Sequence, residues 1–309
     1  PLGVPIAFVL ILCAITLMQF LGQTDMTIIT QNMIMGANNA ALMAIPFFML
    51  AGEVMSRGGL SQRIVDFAKI VVGRFLGGLG YAAILASMIF AGLSGSPVAD
   101  AAALGGIMIP LMVKNGYSKE RSTGLLCSGA VIAPIIPPSI PMIVLATGTG
   151  LSVGKMFMAG LVPGIILGIC LMVCWRIIVV HDKVDDTVRF TKEQIKHILK
   201  DSLPALFMPI LIIGGIRFGI FTPTEAGAFA VVYALAISLF VYKEMKWKDL
   251  ADVFLEGAKS TGIVMFIVAS ASAVGWLITV AQIPAKVVTL LAPLIAHPLA
   301  LLLMINLFL

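Results

Sequence analysis

The sequence predicts an all-α polytopic membrane protein, with the re-entrant hairpin and broken helices of a secondary carrier. Three observations carry that prediction. Of 309 residues, 60% are hydrophobic and 11% charged, and the mean hydropathy is +1.08. A soluble domain is about 45–50% apolar and about 25% charged, so a soluble fold could not hide this much apolar surface. The apolar residues also fall into runs of about 20, the length a helix needs to span a bilayer, with room for roughly eight to ten of them. Finally, two neighbouring runs are interrupted deep inside, at Gly92-Leu-Ser-Gly-Ser-Pro-Val-Ala-Asp100 and at Ile135-Ile-Pro-Pro-Ser-Ile140. Glycine, serine and proline there open the helical hydrogen-bond ladder, and in lipid the freed groups must be satisfied by protein, water or a ligand. Breaks of this kind at mid-depth are where carriers bind what they move.

The charges fix how the runs thread the bilayer. The net charge of +5 comes from 20 Lys and Arg against 15 Asp and Glu. The basic residues cluster at segment ends, where they set topology, so the charge does not point to nucleic acid. The four cysteines, Cys13, Cys127, Cys170 and Cys174, all lie in apolar runs and read as small packing residues instead of a metal or redox set. Both ends of the sequence read as cut, since it opens on Pro1 and stops at Leu309 inside an apolar run.

In chain order, residues 2–21 form a first span and 23–39 a polar, amphipathic stretch. Residues 40–55 are a second apolar run containing Glu53, which is placed to pair with Arg57 at i,i+4. Residues 56–74 carry Arg57, Arg63, Lys69 and Arg74 opposite Leu60, Ile64 and Val65 at helical spacing, the pattern of an interfacial helix with a basic face on anionic headgroups. Residues 75–113 are apolar but broken at Ser94–Pro97, with basic residues on both flanks. The positive-inside tendency puts both flanks in the cytoplasm. A re-entrant hairpin with its tip at Ser94–Pro97 fits this, and so do two spans with an outer turn; the many small residues from Ala99 to Gly106 favour the hairpin. Residues 122–150 cross outward with a break at Pro137-Pro138-Ser139, and 156–180 return. Residues 176–200 read as a charged cytoplasmic loop. Residues 203–220 cross outward, Thr222-Pro-Thr-Glu225 starts a helix that returns to Lys243, residues 249–259 read as interfacial, 261–281 cross again, and 284–309 begin one more run. An interfacial stretch followed by an apolar run occurs at 62–91 and again at 248–281, a weak internal echo of the inverted repeats on which many carriers are built.

Asp100 is the most informative charge. A lone carboxylate at membrane depth costs at least about 2.5–3.5 kcal/mol, so it needs a partner. It reads equally as a cation ligand or protonatable site and as a residue that locks the hairpin tip. Ser94, Gly95 and Ser96 supply hydroxyls and carbonyls, and Pro97 leaves an upstream carbonyl without its donor. Oxygen ligands suit a hard cation such as sodium, while helix N-termini ending at the tip suit an anion. The carbonyls around Pro137, Pro138 and Ser139 are placed to complete such a site, although each break taken alone reads as an ordinary turn or kink. Thr222 and Glu225 read as a helix cap. The histidines His181, His197 and His297 form no metal cluster. Gly92-Leu-Ser94-Gly95 matches the nucleophile pattern of rhomboid-type intramembrane proteases, but its serine lacks a well-placed histidine base, His297 being the nearest candidate.

Several stretches together resemble the large membrane (M, or DctM) subunit of tripartite ATP-independent periplasmic (TRAP) transporters. They are Ala44-Ile-Pro-Phe-Phe-Met-Leu-Ala-Gly-Glu53, Gly77-Gly78-Leu79, Leu93-Ser-Gly-Ser-Pro-Val-Ala-Asp100, Ile109-Pro110, Gly116-Tyr117, Ile135-Ile-Pro-Pro-Ser-Ile140, Phe157-Met-Ala-Gly160, Pro163-Gly164 and Ile220-Phe-Thr-Pro-Thr-Glu225. They run in the family's order over nearly the whole chain. The resemblance implies an elevator-type carrier in a bacterial inner membrane, driven by sodium and not ATP, that imports organic acids such as sialic acid, C4-dicarboxylates or related sugar and keto acids. It implies two partners, a small membrane subunit (Q) and a soluble periplasmic substrate-binding protein (P). It implies substrate binding at Ser94, Gly95, Ser96, Pro138 and Ser139, and Na+ at Ser94, Ser96, Asp100, Pro137 and Ser139. On this reading residues 1–74 are scaffold and arm helices, 75–180 the first transport repeat, 181–260 the cytoplasmic loop, further scaffold and a second arm, and 261–309 the start of a second repeat, with the second half of the site expected outside the chain. A rhomboid-like serine protease and the permease subunit of an ATP-driven transporter are the alternatives.

Overall fold

A computed structural model describes residues 3–23, 25–180, 190–292 and 298–308. Among the described residues every regular element is a helix. Six segments are long and apolar enough to cross a membrane: Ala40–Arg57, Pro97–Lys114, Val153–Val179, Lys192–Arg217, Pro223–Val241 and Trp247–Val280. The chain is thus an all-α, multi-pass membrane protein.

The helices form two compact units. One joins residues 1–38 to 263–309. In it α1 (Ile6–Phe20), α2 (Thr27–Ala37) and the latter part of α12 (Leu250–Val280) bury Ala14, Met18, Ile29, Ala273 and Leu277, and Phe8 meets Phe266 edge-on at 5.5 Å. Helices α13 (Ile283–Leu291) and α14 (Pro298–Phe308) complete this unit.

Residues 39–262 form the other unit. A 3-10 turn (Ala40–Met43) leads into α3 (Ala44–Arg57), followed by α4 (Leu60–Val72), α5 (Gly78–Ser94), α6 (Pro97–Lys114), α7 (Lys119–Ala130), α8 (Ile140–Thr149), α9 (Val153–Val179), α10 (Lys192–Arg217) and α11 (Pro223–Ala236), which ends in a π turn (Ile237–Val241). Helix α3 packs on α11, α4 on α5 and α10, and α5 on α6, α7 and α9. Local chemistry sets the starts. Thr191 with Gln194, and Thr222 with Glu225, form reciprocal capping boxes at α10 and α11, and Ser96, Ser139 and Ser152 each accept a first-turn backbone N–H. The expected cap at Thr222–Glu225 and the Glu53–Arg57 ion pair, at 2.6 Å, are both present.

Four expectations change. Residues 192–200 are not loop: they are the opening turns of α10, started by the Thr191 capping box. His181 lies outside the described residues, and so does His297. The interfacial stretch 249–259 and the crossing 261–281 are one continuous helix, α12. Lys259 bridges to Glu256 within the ladder, so the charges continue the helix instead of ending it. The echo of 62–91 in 248–281 is therefore one of sequence, because α4 and α5 are separated by the Gly73–Gly77 turn. Helix α4 does not present a free basic face: Arg63 is only 18% exposed, pairs with Glu244 and Asp201 and stacks over the Tyr242 ring at 4.4 Å, while Lys69 pairs with Asp66. Finally, the four cysteines do not pack inside; each is exposed, Cys13, Cys170 and Cys174 on apolar helices where a thiol suits lipid as well as a methyl group would, and Cys127 on the more polar α7.

Candidate functional site

The site grows from the turn between α5 and α6. Gly95 ends α5 in the left-handed conformation, at φ +60°, which glycine adopts without steric cost. The next residue, Ser96, caps α6 by accepting the Ala99 N–H at 3.4 Å, with Pro97 in the first helical position. Ser94 turns its hydroxyl inward. It donates to Asp100 Oδ1 and accepts the Ser96 N–H at 3.1 Å. Ser94 and Asp100 are each 1% exposed. The bond ties the end of one hairpin helix to the first turn of the other, which is the locking role. The other oxygen of the carboxylate, Asp100 Oδ2, is also buried and has no hydrogen-bond partner among the described residues. An orphaned buried carboxylate oxygen is expensive and calls for a ligand.

The second break comes to the same place. Helix α7 stops at Ala130, and Pro134 stops the ladder three residues before the Pro137-Pro138 pair, so the break is wider than those two prolines suggest. The peptide bond between Pro137 and Pro138 is cis. Ser139 then caps α8, donating to the Pro134 carbonyl at 2.6 Å and accepting from Met142 N–H at 3.3 Å. Hairpin tip and break touch. A side-chain carbon at Gly95 would collide with the Pro138 carbonyl oxygen and stand 3.3 Å from the Ile140 nitrogen; one at Gly92 would stand 3.5 Å from the Pro137 carbonyl oxygen. Among the described residues neither proline carbonyl accepts a backbone hydrogen bond.

Ser94, Gly95, Ser96, Asp100, Pro137, Pro138 and Ser139 are thus brought together. The N-termini of α6 and α8 converge there, a field that favours an anion. The donors on either side of this contact, Asp100 Oδ2 on the hairpin and the two carbonyls on the break, are all oxygens, the donor type a hard cation takes. The tip lies level with the interior of the long helices: a carbon at Gly92 would be 3.6 Å from Pro209, about 12 Å short of Arg217 at the helical rise of 1.5 Å per residue.

Other residues shape this neighbourhood without having been assigned to the site from sequence. Gly52 of α3 lets the Ser94 backbone approach, with a carbon there 3.4 Å from Ser94 Cα; Pro209 of α10 backs Gly92; and Gly160 and Gly164 of α9 admit Ile135 and Ile136 of the break. The stripe Gly160, Gly164, Gly168 at every fourth position was the available signal, since small residues repeated at that spacing let helices pack closely.

Comparison with known proteins agrees with this architecture. The family model for the DctM component of the tripartite ATP-independent periplasmic transporter matches residues 1–309. A putative TRAP transporter large permease protein of Haemophilus influenzae is 50% identical over 306 residues, 99% of this chain and 72% of the relative. The 2,3-diketo-L-gulonate TRAP transporter large permease protein YiaN of Escherichia coli is 47% identical over 297 residues, 96% of this chain and 70% of the relative. The sialic acid TRAP transporter large permease protein SiaM of Vibrio cholerae is 34% identical over 307 residues, 99% and 72%. These relatives are permease subunits and not enzymes, in keeping with a Ser94 hydroxyl that is committed to a carboxylate instead of a histidine base. The chain belongs to the DctM family of TRAP transporter large permease proteins, and is a multi-pass inner-membrane transport protein.

Proposed function

We propose that this chain is the translocating subunit of a sodium-driven, ATP-independent importer of an organic acid, working with a small membrane subunit and a periplasmic binding protein. One observation carries the coupling: the buried Asp100 Oδ2 has no partner, at a tip that abuts the free carbonyls of Pro137 and Pro138. Sodium would be held by Asp100 and those carbonyls, with Ser94, Ser96 and Ser139 fixing the backbone around them. The acid would lie against the paired N-termini of α6 and α8, where a carboxylate is favoured and the sodium charge lies close by. Sodium then neutralises the Asp100 carboxylate, and the helix N-termini face the acid, so the loaded site crosses lipid at lower cost than one with Asp100 left uncompensated.

The position of the tip beside Pro209 supports a re-entrant hairpin, which belongs with residues 75–180 acting as one transport body against scaffold helices, in an elevator movement. The names of relatives at 47%, 40% and 34% identity supply the acids to test, a keto sugar acid, a C4-dicarboxylate and sialic acid. The test is uptake into proteoliposomes holding both membrane subunits, supplied with the cognate binding protein and labelled 2,3-diketo-L-gulonate, sialic acid or succinate. Uptake should follow an inward sodium gradient without ATP, collapse in potassium and require the binding protein. Equal uptake in potassium would remove sodium from the mechanism.

A further inference from the structure

At the outward end of the bundle, a groove of about 640 Å³ lies between the start of α9 and the end of α10. Its walls are apolar, from Met158, Leu161, Val162 and Ile216, and two cations stand in it, Lys155 and Arg217. Among the described residues no acidic side chain pairs with either. Their position is unusual for the charge pattern of this chain. The opposite ends of the same helices and of α11 carry Arg176, Lys192, Lys196, Lys200, Lys243 and Lys246, the basic clustering expected of a cytoplasmic face. The turn before α9 and the turn after α10 carry no cation beyond Lys155 and Arg217, and these two share one groove. Topology alone would disfavour both on this side.

The groove also leads somewhere. A cavity of about 10 Å³, room for roughly one water, is lined by Pro137, Phe157, Ile212 and Ile213, and by the same Met158 and Ile216 that line the groove. Met158 and Ile216 thus stand between the groove that holds the two cations and the cavity at Pro137, the residue whose carbonyl faces the hairpin. We infer that Lys155 and Arg217 form an outer capture site for the carboxylate of the cargo acid, loaded before the hairpin site and separated from it by the Met158–Ile216 constriction. The inference rests on the import reading above. Two fixed cations in an apolar-walled cleft concentrate an anion and raise its rate of arrival, an effect that salt screens.

The experiment is the same sodium-driven uptake, with Lys155→Gln, Arg217→Gln and the double variant, in phosphatidylcholine vesicles and in vesicles containing phosphatidylglycerol. The double variant should raise the KM for the acid by about three- to tenfold, as expected for two exposed charge contacts, and flatten its dependence on salt. The maximal rate and the sodium activation curve should stay within about twofold, and Lys155→Arg with Arg217→Lys should restore the KM. Both side chains are exposed, so each single variant serves as a folding control for the double. An unchanged KM in a carrier that transports normally would overturn the capture site alone. A KM change seen only with phosphatidylglycerol would assign the cations to a lipid phosphate and overturn it too. So would a change in the concentration of binding protein required, with none in the KM for acid, because that marks a protein contact. Failure of the unsubstituted carrier to transport any acid on a sodium gradient would remove the import reading, and the capture site with it.

Discussion

One oxygen of Asp100 receives the Ser94 hydroxyl, and the other receives nothing among the described residues. The lock uses one oxygen and the proposed cation would take the other, so substitution can separate the two roles weighed for this residue from sequence. Asp100→Asn keeps the shape and removes the charge. It should raise the sodium concentration for half-maximal uptake by about tenfold or more, the scale of losing one charged oxygen ligand. Ser94→Ala removes only the lock and should cost about 1 kcal/mol of stability, with a smaller change in sodium dependence. If the two variants and their double show the same sodium curve, the carboxylate only locks the tip, and the ligand assignment fails. Asp100, Ser94 and Ser139 were legible in the sequence because polar atoms stand out in apolar runs. The contacts of Gly52 and Pro209 with the tip were not, because a glycine that admits a distant backbone and a proline that backs it carry no local mark.

At the level of elements, the contact between tip and break depends on an absent side chain. Gly95→Ala would set a carbon against the Pro138 carbonyl in a conformation already unfavourable to alanine. It should abolish uptake while leaving membrane insertion intact. Gly106, on the same helix pair, has open space around it, so Gly106→Ala should be neutral or slightly stabilising; comparable loss in both would mean that the hairpin tolerates no change anywhere, not that the tip seats on the break. A second junction joins α4 to α10 and to the chain beyond α11. Arg63 bonds the Gly59 carbonyl at 3.2 Å, pairs with Glu244 and Asp201 and covers Tyr242, whose hydroxyl donates to the Asp201 carbonyl at 2.8 Å; Ser202 donates to the Arg63 carbonyl at 2.9 Å. Both acids are more than a third exposed, so Arg63→Ala should cost only about 1–2 kcal/mol in thermal unfolding of the detergent-solubilised protein. Arg63→Lys should not restore it, because an ammonium can neither fork between two acids nor stack. From sequence Arg63 looked like one of a row of surface cations. Its partners lie far along the chain, and helical periodicity says which face a residue is on but not what covers that face. The same limit hid the continuity of α12, where charged residues suggested a boundary that only the pairing of Lys259 with Glu256 removes.

For the whole molecule, most helices were legible because apolar runs of spanning length stand out with basic residues at their ends, whereas the movement that carries cargo across leaves no such mark in one sequence. It can be read from solvent access at the tip. Val98, in the first turn of α6, is 79% exposed beside a site that is otherwise closed. In a variant with Cys13, Cys127, Cys170 and Cys174 replaced by serine, a cysteine at Val98 reports which side of the membrane the tip faces. Leu151, in the outward turn before α9, and Asn115, at the inward end of α6, supply fixed references for a membrane-impermeant thiol reagent. Leu151→Cys should label only from outside and Asn115→Cys only from inside, whatever is bound. If the hairpin travels with its cargo, the labelling of Val98→Cys from one side should change several-fold when sodium and acid are added together, and little with either alone, because sodium compensates Asp100 and the acid is held only at the site so formed. A tip whose labelling is indifferent to both ligands would mean that the hairpin stays fixed while other helices open the path, and the elevator reading would have to be abandoned even with sodium-driven uptake intact.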